Sequence, residues 1–308
     1  MSNHTPHAFD VEAPSSKDAP AGPSRYSRTS RPVWGALWRT LMSMVAMFVF
    51  AVVGALGGLQ LARVLGAPER SEVMFAGVGS LTVGVAVVVV LRRFVEGDRS
   101  ISLGMAWGRG RALLWLALGI GAAAVVLGFG IADQFLSGTA SVEFADLPAG
   151  DIVLGMLSLL AVAFLLQGIP EELLFRGYLQ GTLAERLPVW TAVVISGVAF
   201  GVLHLVSQGS GDTVSSKLIY VLSATGLGFA AGGLRAVTGS TWAAIGLHGG
   251  DHLVTGVSQL WLRMDDEHVS LWSTAALFAI CGICLVVHAR RVKAARLDDL
   301  AVPSASAV

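Results

Sequence analysis

The run Gly168-Ile169-Pro170-Glu171-Glu172-Leu173-Leu174-Phe175-Arg176-Gly177 sets two adjacent carboxylates and a guanidinium just after an uncharged apolar stretch, Ile152 to Leu166. In hydrocarbon each such group costs roughly 2.5–3.5 kcal/mol on insertion scales, so three together need a reason. On a helix Glu172 and Arg176, four apart, share a face and can pair. Glu171 is rotated by about 100° from Glu172 and meets a different neighbour. One carboxylate can therefore be held by the arginine while the other stays free for chemistry. The alternative is a helix end that emerges at the membrane interface with its charges solvated.

Two further polar intrusions lie downstream. Phe200-Gly201-Val202-Leu203-His204 interrupts one apolar span, and Gly246-Leu247-His248-Gly249-Gly250-Asp251-His252 interrupts another. Ionisable residues inside a membrane usually face a bundle interior or a watery cavity and mark function. A lone histidine is more often a packing residue. Three histidines with two glutamates, an arginine and an aspartate on separate spans weaken that alternative. Depth also agrees. With a turn near Leu187-Pro188, Glu171 and Glu172 lie 15–17 residues before it and His204 lies 16–17 after it. An antiparallel hairpin brings them to one level, near enough to share a water. The membrane face to which they open stays undetermined, because Glu171–Leu187 is amphipathic and can lie partly along the surface. His248 and His252 are four apart and share a helix face.

The elements that must position these groups are legible from composition. Hydrophobic residues make up 54% of the chain and charged residues 14%, against a usual charged share of about 25%. Mean hydropathy is +0.69. These values describe an all-α, polytopic membrane helix bundle. Net charge is zero and the basic residues are scattered, which gives no indication of nucleic acid. Apolar stretches recur at Leu41–Leu61, Val73–Leu91, Leu113–Leu136, Ile152–Leu166, Val189–Val206, Leu218–Leu234, Trp242–Trp261 and Leu271–Val287, about eight transmembrane helices. The sixth and seventh are glycine-rich, and Gly226, Gly228, Gly232 and Gly233 suit close helix contact in lipid. Cys281 and Cys284 sit one turn apart on the last span as lipid-facing or packing residues.

Residues 1–31, rich in Ser, Pro, Ala and charge, read as a disordered cytoplasmic tail. The transmembrane domain follows at 32–292, with its motif core at 152–259, and a short basic, then flexible tail occupies 293–308. Arg25, Arg28, Arg31 and Arg39 flank the first span. Arg92, Arg93, Arg99, Arg109 and Arg111 fill the second connection, and Arg290, Arg291, Lys293 and Arg296 follow the last span. The connection with Asp133, Glu143 and Asp146 has no Lys or Arg, and Asp265-Asp266-Glu267 has only Arg263 nearby. Both termini of this multi-pass cell-membrane protein are expected on the cytoplasmic side.

The three motifs, in this order, resemble those of the CAAX-protease and bacteriocin-processing (CPBP, Abi) family of intramembrane proteases. That pattern is Glu-Glu-x-x-x-Arg, then Phe-x-x-x-His, then His-x-x-x-Asn or Asp. Glu171, Glu172 and Arg176 match the first, Phe200 and His204 the second, and His248 opens the third. The segment Asp98 to Gly104 also looks like a polar stretch preceding the third span of that family. One position departs: four residues after His248 stands His252, with Asp251 at three. Either His252 takes over the oxyanion role or Asp251 substitutes by a small shift.

The resemblance implies an intramembrane endopeptidase, glutamate-type or metal-dependent, acting on a membrane peptide or protein. Glu171 is then the general base on a water shared with His204, Arg176 pairs with Glu172, and His248 and His252 face the oxyanion. Two activators stay open: no cofactor, or a divalent metal such as zinc held by Glu171, His204 and His248. The chain lacks the His-Glu-x-x-His helix common in zinc proteases. Competing expectations are a catalytically inactive scaffold or bacteriocin self-immunity protein of the same fold, and a transporter. Against the transporter, the polar groups cluster in one half of the chain without an inverted repeat. The substrate, its prenylation and the oligomeric state are not legible. Reporter fusions after Gly110 and after Arg291 should read cytoplasmic and one near Ser141 external; a cytoplasmic readout at Ser141 would overturn the eight-span topology.

Overall fold

The computed structural model describes residues 32–97, 103–105, 108–144, 146–206, 213–264 and 267–301. The tail expected at 1–31, most of the polar segment from Asp98 and the acidic pair Asp265-Asp266 lie outside the described residues. Each apolar run forms a helix: α1 Val33–Val64, α2 Glu69–Val95, α3 Arg111–Ser137, α4 Ala149–Ala184, α5 Val189–Val206 and α6 Val214–Thr238. Helices α7, Thr241–Ser258, and α8, Glu267–Ala301, complete the bundle. Helix α8 extends into the segment read as a tail from residue 293. Two three-residue strands, β1 (Ala140–Val142) and β2 (Leu262–Met264), pair antiparallel with Ala140 opposite Met264.

Seven of these helices are long and apolar enough to cross a membrane. Helix α7 is the exception, because His248, Asp251, His252 and its glycines lower its hydropathy. It is enclosed instead: every residue from Thr241 to Gly250 is buried, and α3, α4 and α6 pack around it. A polar helix is tolerated at membrane depth when protein rather than lipid surrounds it.

Glycine permits that enclosure. A Cβ at Gly249 would drive into the ring of Phe164 on α4, so α4 and α7 meet at a distance only glycine allows. The expectation for the glycine-rich α6 holds in detail. Cβ atoms at Gly226 and Gly233 would meet Ala275 and Leu285 of α8, whereas those at Gly228 and Gly232 would meet Gly197 and Val193 of α5. Helix α6 is thus seated between two neighbours. Cys281 and Cys284 are exposed and unpaired on α8.

Helix α1 shows the polarity inversion expected in lipid. Val33, Trp34, Leu37, Trp38 and Leu41 are exposed, while Arg39 and Ser43 are buried. Arg39 is therefore more than a basic flank. Its Nε and Nη2 donate to the two carboxylate oxygens of Glu96 at 2.8 and 2.6 Å, and Tyr178 Oη on α4 donates to Glu96 at 3.1 Å. This forked pair joins α1 to the end of α2 and to α4. Arg39→Ala leaves Glu96 with Tyr178 alone and should cost about 3–5 kcal/mol in unfolding measurements in detergent. Arg39→Lys should recover only part, since an ammonium has no planar fork. Parent-like unfolding of Arg39→Ala would show that the pair does not hold α1 in place.

Candidate active site

Helix α4 is irregular where it carries the Glu-Glu motif. Ala161–Gly168 and Leu173–Leu179 are π-helical, with one α-helical turn, Ile169–Glu172, between them. Pro170 sits in that turn and has no N–H for the hydrogen-bond ladder. Short π-helical segments recur at functional sites because they re-aim the side chains of one turn. The stretch Glu171–Leu187, which from sequence could lie along the membrane surface, instead continues α4 into the bundle, and every residue from Pro170 to Gln180 is buried. The solvated helix end is thus not what the chain forms.

Glu172 has no exposed surface and is shared by two partners. Arg176 Nη1 donates to its Oε1 at 2.9 Å, the expected i, i+4 pair. His248 Nδ1 lies 2.9 Å from the same oxygen, and since a carboxylate accepts, the ring donates. Arg176 also donates through Nη2 to the Gly228 carbonyl on α6 at 3.1 Å. Its guanidinium carbon lies 4.6 Å from the Phe200 ring centroid, a cation–π contact in a dry setting. Gly228 and the Phe200 ring are part of the site that spacing alone did not identify; the only signal for Gly228 was the glycine-rich run around it.

Glu171 stands beside this network without joining it. It is buried, and its Oε2 has no hydrogen-bond partner among the described residues. Oε2 of Glu172 and Nε of Arg176 are also unpartnered. Unpaired oxygens of this kind are costly unless water or a ligand reaches them.

Phe200 is the hub for the rings. It packs edge-on against His248 at 5.5 Å and Phe175 at 5.4 Å, and tilted against His204 at 4.7 Å. His204, half-buried at the end of α5, directs Nδ1 at the Phe200 carbonyl, 2.8 Å away. A carbonyl only accepts, so Nδ1 carries the proton and Nε2 is left with its lone pair. Tyr220 of α6, also missed in the sequence, packs on the other side of His204 at 5.5 Å. The His252 ring lies 5.2 Å from that of His248 and within electrostatic reach of His204 as well. Asp251 is within such reach of His248. The fold thus gathers Glu171, Glu172, Arg176, His204, His248 and His252 from α4, α5 and α7.

The metal-ligand set Glu171, His204 and His248 is not assembled as a chelate: among the described residues no group of three or more His, Cys, Asp or Glu is arranged to hold a metal ion.

A family model described as type II CAAX prenyl endopeptidase Rce1-like matches residues 153–254, a stretch that contains all three motifs. Over these residues the chain is similar to that family, and seven helices long and apolar enough to cross a membrane, among the described residues, make it a multi-pass membrane protein. No curated protein matches the chain.

The shared carboxylate sets a clear expectation for stability. Arg176→Ala leaves Glu172, which has no exposed surface, with His248 as its one donor among the described residues and should destabilise the fold by roughly 3–5 kcal/mol. Glu172→Gln combined with Arg176→Gln removes both charges and should be milder. Equal unfolding midpoints for the single and double variants would argue against the partnership.

Proposed function

We propose that this chain, through its Rce1-like domain, is an intramembrane endopeptidase that hydrolyses a peptide bond of a membrane-associated peptide or protein. The observation that carries this reading is a division of labour between adjacent carboxylates. Glu172 is committed through Oε1 to Arg176 and His248, whereas Glu171 accepts from neither and keeps a buried Oε2 with no hydrogen-bond partner among the described residues.

The mechanism follows from the free edges. A water takes its place between Glu171 and His204. It donates one hydrogen to the His204 Nε2 lone pair and the other to Glu171, which removes it as the oxygen attacks the scissile carbonyl. His248, held at Nδ1 by Glu172, turns its Nε2 edge to the oxyanion when that nitrogen is protonated. His252, beside it, offers a second imidazole N–H. Collapse of the tetrahedral intermediate returns the proton from Glu171 to the leaving amine. Ring proximity favours His252 over Asp251 as the stand-in for the family Asn or Asp. The basic residues flanking the first and last spans support a topology with both termini in the cytoplasm.

One observation favours a second reading, an inactive scaffold or self-immunity protein of this fold. It is the histidine at the family's Asn or Asp position, His252. Membrane proteomics of cells expressing the parent or Glu171→Gln separates the two: a precursor that accumulates only with the variant identifies a substrate, and no accumulating precursor leaves the scaffold ahead. Against a substrate so found, His252→Ala should lose about 10²–10³-fold in kcat, while His252→Asn should retain activity. Asp251→Ala should behave like the parent. Essential Asp251 with dispensable His252 would reverse that assignment.

A further inference from the structure

Helix α2 turns Gly77, Ser80 and Gly84 toward α4 at helical spacing. A Cβ at Gly77 would come within 3.0 Å of Leu165 Cβ, and one at Gly84 within 2.7 Å of Pro170 Cβ. The two helices therefore touch along the segment that leads into the Glu-Glu turn. Between those glycines Ser80, with no exposed surface, donates its hydroxyl to the Leu166 carbonyl at 2.8 Å. Helical hydroxyls in this protein commonly donate back to the carbonyl four residues earlier in their own helix, as Ser43 does to Arg39 and Thr82 to Val78. Ser80 crosses to the neighbouring helix instead. Leu166 lies in the π-helical segment Ala161–Gly168, whose ladder runs to the fifth residue, as from the Ile169 N–H to the Phe164 carbonyl. Pro170 interrupts that ladder just beyond Leu166, since it has no N–H.

We propose that Ser80 is a positioning residue for the Glu171–Glu172 turn: from α2 it holds the carbonyl just ahead of the break that Pro170 makes in the ladder and so fixes how that turn faces α7. The functional consequence rests on the peptidase reading. A turn released by loss of this contact would carry Glu171 away from its water and Glu172 from His248, and displacements of about 1 Å at reacting groups cost on the order of 10²-fold in rate.

The test needs no substrate. Hydrogen–deuterium exchange is measured on the full chain in detergent for the parent, Ser80→Ala, Pro170→Ala and the double variant. Ser80→Ala removes the hydroxyl without adding bulk, and it should speed amide exchange over residues 171–176 by roughly 3–10-fold, the effect of one lost hydrogen bond. Amides of α5 and α8 should not change. The double variant should return to within about twofold of the parent, because alanine at 170 restores a donor to the interrupted ladder ahead of the turn. That rescue is not expected of a residue that only fills space. Parent-like exchange in Ser80→Ala, equal acceleration in the single and double variants, or uniform acceleration across all helices would each overturn the proposal. If Ser80→Ala fails to fold, recovery of folded protein in the double variant supports the proposal and its absence overturns it. Should the exchange pattern appear while Glu171→Gln leaves every membrane peptide unchanged, the peptidase reading fails and the positioning role stands.

Discussion

Glu172 is the point on which the packing of this bundle converges: a carboxylate without solvent, held by a guanidinium from its own helix and an imidazole from α7. Charges buried in this way carry a desolvation penalty of several kcal/mol each, which is offset only when all partners are in place. Arg176 extends the network to the Gly228 carbonyl on α6 and lies over Phe200 of α5. Four helices are thereby tied to one ion pair, and a shift of any of them leaves a charge exposed to hydrocarbon. Glu171, next in sequence, inherits a fixed place without sharing the bonds.

The same logic explains α7. A helix with two histidines and an aspartate would insert poorly by itself, yet α3, α4 and α6 shield it from lipid. Its polar groups then need partners from protein or trapped water, and His248 finds one in Glu172. The glycines on both sides of the α4–α7 contact make this geometry accessible, since a single added Cβ at Gly249 would displace Phe164. Close packing therefore precedes chemistry here: small residues bring the backbones together, and the polar side chains meet because of it.

Irregularity in α4 has a comparable role. Two π-helical segments bracket the turn that carries Glu171 and Glu172, and Pro170 removes a donor from it. Such a turn is held from outside by Ser80 on the Leu166 carbonyl and by Arg176 and His248 on Glu172. Helix α1 contributes at a distance, through the Arg39–Glu96–Tyr178 cluster that anchors the far end of α4.

The sequence alone determined the parts of this protein that depend on local period and local polarity. Eight helices follow from the apolar runs, seven of them long and apolar enough to span among the described residues, because hydropathy and rise per residue need no partner. The Glu172–Arg176 pair follows from a spacing of four on one helix, and the resemblance of three motifs identified the residues that converge. Tertiary structure decided everything that joins positions far apart in the chain. Whether Glu171–Leu187 lay on the surface or inside depended on what packed against it. The bond from His248 to Glu172 spans 76 positions, and no period encodes it. Arg39 reads as a topological flank until Glu96, 57 positions away, takes both arms of its fork. Ser80 is an ordinary small residue in an apolar span until the Leu166 carbonyl of another helix comes within its reach. Buried polar groups must be paired, and in a bundle the partner is chosen by contact across helices rather than by neighbours in sequence.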